Sequence, residues 1–376
     1  MLYHISKMKK TLLWLVGIVV VVLIVVSVAG KKQTENRPIR IGFIGPLTGD
    51  TSSLGQASKS AVEIAVNEIN ESGGINGRPI EMIYEDGKCL TATALSAGQK
   101  LISFDKVTAI IGGLCSGETS AFIKQASTAK IPVISYCSSA PSLSQSGQYF
   151  TRTYPSDSYQ GKFAAEYMFN TLKIKSVAII YQLNDWSQGI SNVFKNRFEE
   201  LGGRIVVHEG VSQDIRDYKT ILSKIRDQKI QNVYLPMYVD SSMIVINQTS
   251  DLSFGAKFVG PDAWNDPKFI LGVNKNLDIT YVGSTGNSNK EFQDKYLAKT
   301  NQEQVPICAP QAYDAIKALT LALKEVGTDA DRLSSAIRSQ DFQGVTGRVS
   351  FDSNGDINTV SYVVKKIENG KLIDIQ

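Results

Sequence analysis

From residue 39 onward, short apolar segments alternate with segments of helical periodicity. The first pair is IRIGFIG at 39–45 and the stretch 52–74, where apolar side chains recur every three or four residues. The alternation continues through VTAIIGG at 107–113, SVAIIY at 176–181 and NVYLPMY at 232–238. Strands that alternate with helices of about ten residues are typical of a parallel sheet covered on both faces. The pattern therefore predicts an α/β protein.

The 376 residues are enough for two domains. RTYPSDSYQG at 152–161 and STGNSNK at 284–290 place turn-forming residues between strand and helix, and both look like passages between two lobes. After the final helical segment the chain changes to alternating strands. We expect lobe 1 to span 37–155 and to be completed by 286–345, and lobe 2 to span 156–285 and to be completed by 346–376.

We expect the first 36 residues to be an export signal or membrane anchor with a short linker. Residues 11–30 carry no charge, follow Lys7, Lys9 and Lys10, and are long enough for one continuous membrane-spanning helix. A cleaved signal usually has a shorter apolar region, of about 7–15 residues, so an uncleaved anchor and a cleaved signal both stay open. A buried core helix fits less well because no polar face is present. Either export reading places the rest of the chain outside the cytoplasm.

The charge distribution argues against nucleic-acid binding. The formal net charge is +4, but the first 37 residues contain six of the 40 basic residues and one of the 36 acidic residues. The remainder therefore has 34 basic residues against 35 acidic ones and is nearly neutral. A nucleic-acid-binding domain would show a basic patch or stripe.

The residues of common catalytic and metal sites are scarce. The four cysteines are Cys89, Cys115, Cys137 and Cys308, and no C-x-x-C pair of the kind that binds zinc occurs. His4 lies in the export segment, so Ser–His or Cys–His catalysis would need His208, within the predicted strand RIVVHEG. Gly42, Gly45 and Gly49 lack the G-x-G-x-x-G spacing of dinucleotide sites. We expect no metal, no cofactor and no enzymatic activity.

Eight stretches, taken in chain order, carry a resemblance to a known family. They are IRIGFIGPLTGDTSSLGQ, AVNEINESGGINGRPIEMIYED, AIIGGLCSGETSA, IPVISYCSSAPSL, RTYPSD, FVGPDAW, QAYDAIKALTLAL and GVTGRVSFDSNGD. The chain after residue 38 resembles the type-I periplasmic solute-binding proteins, and most of all the branched-chain amino acid binding proteins of ABC transporters. The resemblance implies two Rossmann-like lobes with parallel sheets, joined by three crossings, that trap a small ligand between them and pass it to a membrane permease.

The resemblance also implies a disulfide between Cys89 and Cys115 in lobe 1. Closing a loop of about 25 residues would contribute roughly 3–4 kcal/mol in the chain-entropy model. Two free buried thiols are the alternative. With the disulfide formed, Cys115 is no nucleophile, and the neighbouring Ser116 becomes the candidate functional residue of this loop.

In the family, the positions of Ser116, Cys137 and Ser139 hold the carboxylate and part of the ammonium group of an amino acid. This agrees with their predicted place at strand ends before helices, where ligands and anions bind. Helix capping is the alternative role for each serine. Asp262 in GPDAW matches the acidic residue that pairs with the ammonium, although an Asp after a proline also suits a turn.

The remaining positions implied by the resemblance shape the pocket. Trp186 and Tyr238 match aromatic residues that cover the ligand. Leu54 stands where the family has an aromatic residue, Cys137 replaces a small apolar residue, and Cys308 falls near an apolar position beside the ligand side chain. Leu54, Leu114 and Cys308 would form a modest apolar wall suited to Leu, Ile or Val. The alternative is that the bulky Trp186 narrows the pocket or favours a ligand of another shape.

Three functions compete on this basis. The leading one is a non-catalytic binding protein for an amino acid, with a branched-chain type favoured. A ligand-sensing receptor subunit, or a binder of amides, urea or other small polar solutes, would use the same cleft. An enzyme would need His208 beside Ser116 or beside a free Cys137.

Overall fold

The structure is a computed structural model that describes residues 37–252, 254–273, 277–284, 288–368 and 371–375. The helix predicted over residues 11–30 lies outside the described residues. Within the ranges described, no helix combines the length and the apolar character that a membrane span requires.

The first sheet is parallel throughout. Its strands are β1 (Ile39–Gly45), β2 (Ile80–Asp86), β3 (Ala109–Ile111), β4 (Val133–Ser135) and β5 (Phe150–Arg152). Their spatial order is β2-β1-β3-β4-β5, with Ile41 opposite Met82 on one side and Ala109 on the other. Strand β1 is buried almost completely, as expected for a central strand covered by helices on both faces.

Helices from two distant parts of the chain cover this sheet. The early ones are α1 (Ser52–Glu71), α2 (Thr91–Gln99, continued by a π-helical turn Lys100–Asp105) and α3 (Ser116–Thr128), and the late ones are α9 (Lys290–Thr300), α10 (Ala309–Val326) and α11 (Ala330–Arg338). Helices α1 and α10 share one core with β1, while α2 and α3 pack on the opposite face. The late helices therefore complete lobe 1.

The second sheet forms lobe 2 and mixes parallel and antiparallel strands. Its strands are β6 (Ser176–Gln182), β7 (Arg204–Val211), β8 (Asn232–Tyr234), β9 (Lys257–Gly260), β10 (Asp278–Ser284), β13 (Tyr362–Glu368) and β14 (Lys371–Asp374). The order is β14-β13-β10-β9-β8-β6-β7, in which β13 pairs antiparallel with both β10 and β14 and the other neighbouring strands pair parallel. The C-terminal strands thus extend a parallel sheet, as mixed sheets in α/β proteins commonly do.

Lobe 2 is covered by the helices between its strands. They are α4 (Asp157–Glu166, continued by a π-helical turn Tyr167–Thr171), α5 (Asp185–Glu200), α6 (Lys219–Asp227), α7 (Val239–Asp251) and α8 (Pro267–Gly272), with a short 3₁₀ turn at Asp262–Trp264. Trp264 and Phe269 stack in the core on one face of the sheet. The α/β architecture predicted from the alternating pattern is confirmed.

One expected lobe boundary needs correction. Strands β11 (Asp341–Gly344) and β12 (Gly347–Ser350) form a hairpin, and the expected boundary between residues 345 and 346 falls at its turn. The Asp314 carboxylate of α10 accepts hydrogen bonds from the backbone N–H groups of Val345 and Thr346, at 2.8 and 3.0 Å. The hairpin is therefore attached to lobe 1, and the last crossing to lobe 2 follows Ser350.

A buried ion pair joins two of the crossings. Arg152, at the end of β5, is fully buried, and its Nε lies 2.7 Å from Oδ1 of Asp356 while its Nη2 lies 3.0 Å from Oδ2. The guanidinium also donates to the backbone carbonyls of Ser138 and Ala140. This bidentate contact fixes the first passage between the lobes to the last one.

Asp356→Ala should lower the free energy of unfolding by about 3–5 kcal/mol, because it leaves the buried guanidinium of Arg152 without its counter-charge. Asp341→Ala is the matched control, since Asp341 pairs with Arg348 at 2.6 Å on the exposed surface. That variant should lose much less stability, because water screens an exposed ion pair. Denaturant titration of both full-length proteins measures the difference, and equal losses would contradict a stabilising role for the buried pair.

Candidate functional site

A cleft of about 460 Å³ lies between the two lobes, at the carboxyl ends of their parallel strands. Eight of the nine residues expected at the ligand line it: Leu54, Leu114, Ser116, Cys137, Ser139, Trp186, Tyr238 and Asp262. The ninth, Cys308, is fully buried in the core of lobe 1 and does not reach the cleft. Tertiary structure thus brings together side chains that are up to about 200 positions apart.

The loop between β3 and α3 is held by the fully buried carboxylate of Glu118. This carboxylate accepts hydrogen bonds from the backbone N–H groups of Leu114, Cys115 and Cys89. Burial raises the pKa of Glu118 to about 7, although the three donors act in the opposite direction. The capping arrangement directs the start of α3, and with it Ser116, toward the cleft.

Ser116 and the loop after β4 are connected to each other. The Ser116 hydroxyl oxygen accepts a hydrogen bond from the N–H of Ala140 at 3.0 Å, and the hydroxyl can still donate its own hydrogen. Ser138 donates to the carbonyl of Gly113 at 3.0 Å, and its oxygen lies 2.8 Å from that of Thr119. The two loops therefore form one hydrogen-bonded wall of the cleft.

Two buried carboxylates converge where lobe 1 meets lobe 2. Asp157 begins α4 directly after the first crossing and is 1% exposed, and Asp262 follows β9 and is 6% exposed. Asp157 accepts a hydrogen bond from the Ser139 hydroxyl at 2.7 Å, and Asp262 accepts one from the hydroxyl of Tyr154. Ser139 therefore lines the cleft and is at the same time hydrogen bonded to Asp157.

Both carboxylates are harder to ionise than an exposed aspartate. Burial raises the pKa of Asp262 to about 6, against the lowering effect of its hydrogen bonds with Tyr154 and Gln160. Burial and the neighbouring charge of Asp262 raise the pKa of Asp157 well above its usual range, while the Ser139 hydrogen bond and the charge of Arg152 lower it. A cationic group between the two acids would stabilise their ionised forms.

The sequence does not indicate Asp157 as a site residue. Its stretch, RTYPSD, is part of the family resemblance and predicts only a crossing between the lobes. An acidic residue directly after the helix-capping Ser156 is an ordinary first-turn residue in sequence terms. Only its burial beside Asp262 distinguishes it.

The lobe 2 wall is aromatic. Trp186 and Tyr238 stack with ring centroids 4.5 Å apart and an interplanar angle of 18°. Gln182 supports this pair, because its side-chain carbonyl accepts from the Tyr238 N–H at 3.0 Å and its amide donates to Ser241. Leu54 and Leu114 line the cleft from lobe 1. The cleft therefore combines polar groups with apolar and aromatic side chains, as small-molecule sites commonly do.

All four cysteines form disulfides. Cys89 and Cys115 are bonded, with Cα atoms 5.4 Å apart, as the family resemblance implied. Cys137 and Cys308 form a second bond across 171 residues of sequence, with Cα atoms 5.3 Å apart. The sequence left open whether these two cysteines are free thiols. Cys308 is bonded to Cys137 and lies behind the cleft wall, not in it.

His208 lies away from the cleft residues that an enzyme would need. It is on β7, the edge strand of lobe 2, and its Nε2 lies 2.8 Å from the hydroxyl oxygen of Ser191 in α5. Burial lowers its pKa. Neither Ser116 nor Cys137 is paired with it, and in the described part of the chain no three His, Cys, Asp or Glu side chains form a metal-binding group.

Residues 38–371 match a family model described as periplasmic binding protein. The chain belongs to the periplasmic binding protein family. This makes it a solute-binding protein of the ABC-transporter type and not an enzyme, and it places the folded lobes outside the cytoplasm.

Characterised relatives agree over most of the chain. The leucine-, isoleucine-, valine-, threonine- and alanine-binding protein of Pseudomonas aeruginosa is 25% identical over 335 residues, which are 87% of this chain and 89% of the relative. A leucine-binding protein of Thermotoga maritima superposes with a TM-score of 0.83 at 25% identity, over 90% of this chain and 98% of that one. The branched-chain amino acid transporter substrate-binding protein of Streptococcus pneumoniae, solved with isoleucine, has a TM-score of 0.80 at 27% identity, over 90% and 100%.

Asp262→Asn should stabilise the ligand-free protein at neutral pH. An acid with a raised folded-state pKa binds its proton more tightly in the folded than in the unfolded state, so its stabilising contribution is present at low pH and is lost as the pH rises through that pKa. Asp262 has a pKa of about 6, so the variant should melt at a higher temperature than wild type above about pH 7. The gain should vanish below about pH 3, where the aspartate is protonated in both states.

Melting curves across this pH range measure the effect. Glu71→Gln changes an exposed carboxylate at the end of α1 and serves as the control for a general charge effect. A gain for Asp262→Asn that is independent of pH, or equal to that of the control, would contradict the assignment of a destabilising buried charge to Asp262.

Proposed function

We propose that this protein captures a branched-chain amino acid between its lobes and delivers it to a membrane ABC permease. One observation carries the proposal: in a single interlobe cleft the buried carboxylate of Asp262 lies with the hydroxyls and helix-start N–H groups of lobe 1, and the buried Asp157 is hydrogen bonded to the cleft-lining Ser139. An α-amino acid supplies the matching pair of charges. The Pseudomonas, Thermotoga and Streptococcus relatives carry names that refer to leucine, isoleucine or branched-chain amino acids.

The ammonium group of the ligand binds Asp262 and Asp157. Two buried carboxylates are costly unless they are paired with a cation or neutralised by protons. Arg152 lowers the pKa of Asp157, but its guanidinium is hydrogen bonded to Asp356. An ammonium group with three donors satisfies both acids.

The carboxylate of the ligand binds the lobe 1 wall. Ser116 is the first residue of the thirteen-residue helix α3, whose N–H groups at the start favour an anion. Its hydroxyl, together with the backbone of Cys137 and the region of Ser139, supplies donors at the same edge of the sheet. Carboxylate and ammonium then contact different lobes, so the bound ligand favours the closed arrangement over the open one.

The side chain of the ligand occupies the space between the apolar residues of the two lobes. Leu54 and Leu114 approach from lobe 1, and the Trp186–Tyr238 stack approaches from lobe 2. Burying a leucine side chain there would contribute roughly 1.5–3 kcal/mol. Leucine, isoleucine and valine are therefore preferred over smaller and charged amino acids.

Benzoate, which is bound in a Rhodopseudomonas palustris structure of the same fold at 20% identity, suits this cleft less well. A benzoate ion has no cation for Asp157 and Asp262. Amides and urea fit the hydroxyl wall but likewise leave the two acids unpaired. A sensor subunit would bind the same amino acid and would differ only in its partner chain.

Delivery to a permease requires the protein to stay near the membrane. The apolar segment 11–30 supplies an anchor, or a cleaved signal if it is removed on export. In either case both lobes lie on the outer side of the membrane. Closure is assisted by contacts between the lobes, such as Ser53 with Asp266 at 3.4 Å.

Isothermal titration of the full-length protein with a panel of amino acids, amides, urea and benzoate tests the proposal. Leucine, isoleucine and valine should bind with the highest affinity. Tight binding of uncharged solutes alone would overturn the amino acid assignment. Reconstituted vesicles that contain the permease test delivery. If an amino acid binds but is not transported, and a signalling partner is recovered instead, the sensor function replaces the transport function.

Asp262→Asn should weaken leucine binding at least tenfold, because removing one partner of a buried charge pair costs on the order of 2–5 kcal/mol. The matched ligand is 4-methyl-2-oxopentanoate, which keeps the carboxylate and side chain of leucine and lacks the ammonium. Its affinity should not fall, because it makes no ion pair with Asp262 that the substitution could remove. Calorimetry with both ligands on both proteins decides, and an unchanged leucine affinity would remove Asp262 from the site.

A further inference from the structure

The Cys137–Cys308 disulfide lies within the wall of the ligand cleft. Cys137 follows β4 by two residues, is half-buried and lines the cleft. Cys308 precedes α10 and is fully buried, while its neighbour Ile307 also lines the cleft. The bond therefore connects two cleft-lining segments that are 171 residues apart in sequence.

On one side, the bond holds the loop that follows β4. In this loop Ser138 is hydrogen bonded to Gly113 and Thr119, and Ser139 donates to Asp157. Any shift of Cys137 would move these neighbouring serines with it. The geometry of the carboxylate-binding wall and the position of one buried acid thus depend on this loop.

On the other side, the bond holds the start of α10. Cys308 has φ of 69°, a left-handed backbone conformation that residues other than glycine adopt only when their surroundings impose it. Three residues later, the carbonyl of Gln311 accepts a hydrogen bond from the Thr153 hydroxyl, at 2.9 Å, in the first crossing between the lobes. The disulfide therefore lies between the ligand wall and a segment that contacts the crossing.

We propose that the Cys137–Cys308 disulfide is a positioning element of the ligand site, which fixes the loop 136–139 in its ligand-binding geometry and contributes the Cys137 sulfur to the cleft wall. The inference rests on the proposed function and adds a covalent constraint to it. A purely stabilising cross-link would act on the folding equilibrium and leave the affinity of the folded protein unchanged. The two roles are separated by measuring affinity and stability on the same variants.

The first test compares the double variant Cys137→Ala/Cys308→Ala with wild type. Leucine affinity should fall at least about tenfold when it is measured well below the melting temperature. Without the bond, the loop 136–139 must be ordered each time the ligand binds, and this cost lowers the affinity of the folded protein. Leu319→Ala is the matched control, because Leu319 is fully buried in the same lobe 1 core on α10, away from the cleft. It should lower the melting temperature and keep the leucine affinity within about twofold of wild type.

The second test uses the wild-type protein and does not depend on the folding of a variant. The protein is equilibrated with a dithiol redox buffer, with and without saturating leucine. Each disulfide that is reduced takes up two electrons and two protons and becomes two thiols, while the dithiol becomes a cyclic disulfide. Peptide mass mapping after thiol trapping measures the Cys137–Cys308 and Cys89–Cys115 bonds separately.

Binding and reduction are reciprocally linked, so a bond whose loss weakens binding tenfold becomes about tenfold harder to reduce when the ligand is bound. Leucine should therefore shift the reduction equilibrium of Cys137–Cys308 at least about tenfold. The inference is overturned if this equilibrium does not move, or if the folded double variant binds leucine as wild type does. If wild type binds no amino acid in either experiment, the proposed function fails first and this inference fails with it.

Discussion

The buried ion pair between Arg152 and Asp356 holds two passages between the lobes at one point, and much of the cleft depends on it. The Arg152 guanidinium also binds backbone carbonyls of the loop that carries Ser139. Five residues further along the chain, Asp157 begins the first helix of lobe 2 and accepts a hydrogen bond from the same Ser139. A single fully desolvated cation thus connects the crossing, the lobe 1 ligand loop and one of the buried acids. Its bidentate geometry explains how a flexible two-lobed protein keeps a defined junction.

The Arg152–Asp356 ion pair is balanced in charge, whereas the two carboxylates beside it are costly to bury when no ligand is bound. Asp157 and Asp262 are buried together, and burial raises the pKa of both carboxyl groups. The ion pair of Arg152 satisfies Asp356 and leaves these two acids to be neutralised by protons or by a ligand. Functional sites commonly retain such locally unfavourable charges because the ligand relieves them. In the proposed function, an ammonium group relieves this cost, and the free energy so recovered favours the closed arrangement.

The two lobes are constrained differently. Both disulfides, Cys89–Cys115 and Cys137–Cys308, lie in lobe 1. One includes the residue before α3, and the other includes a residue of the loop after β4. Lobe 2 has no cysteine and presents the Trp186–Tyr238 stack, which is held by non-covalent contacts such as those of Gln182. Lobe 1 is thus braced covalently beside the cleft, whereas the cleft wall of lobe 2 is held by non-covalent contacts.

The sequence by itself determined the features that depend on local periodicity and on the order of elements. Alternating apolar runs specify the parallel sheets, and polar residues at strand ends, such as Ser116 and Asp262, are directed to the shared edge where ligands bind. Tertiary structure alone decided the rest. It paired Cys137 with Cys308 and buried Asp157 beside Asp262, because both relations join positions that are far apart in the chain and show no local signal. It also kept the hairpin at 341–350 with lobe 1, since the Asp314 carboxylate that holds its turn lies on a helix about thirty residues earlier. Periodicity records which face of an element is buried, whereas burial of a particular charge or the meeting of two thiols depends on how distant elements pack.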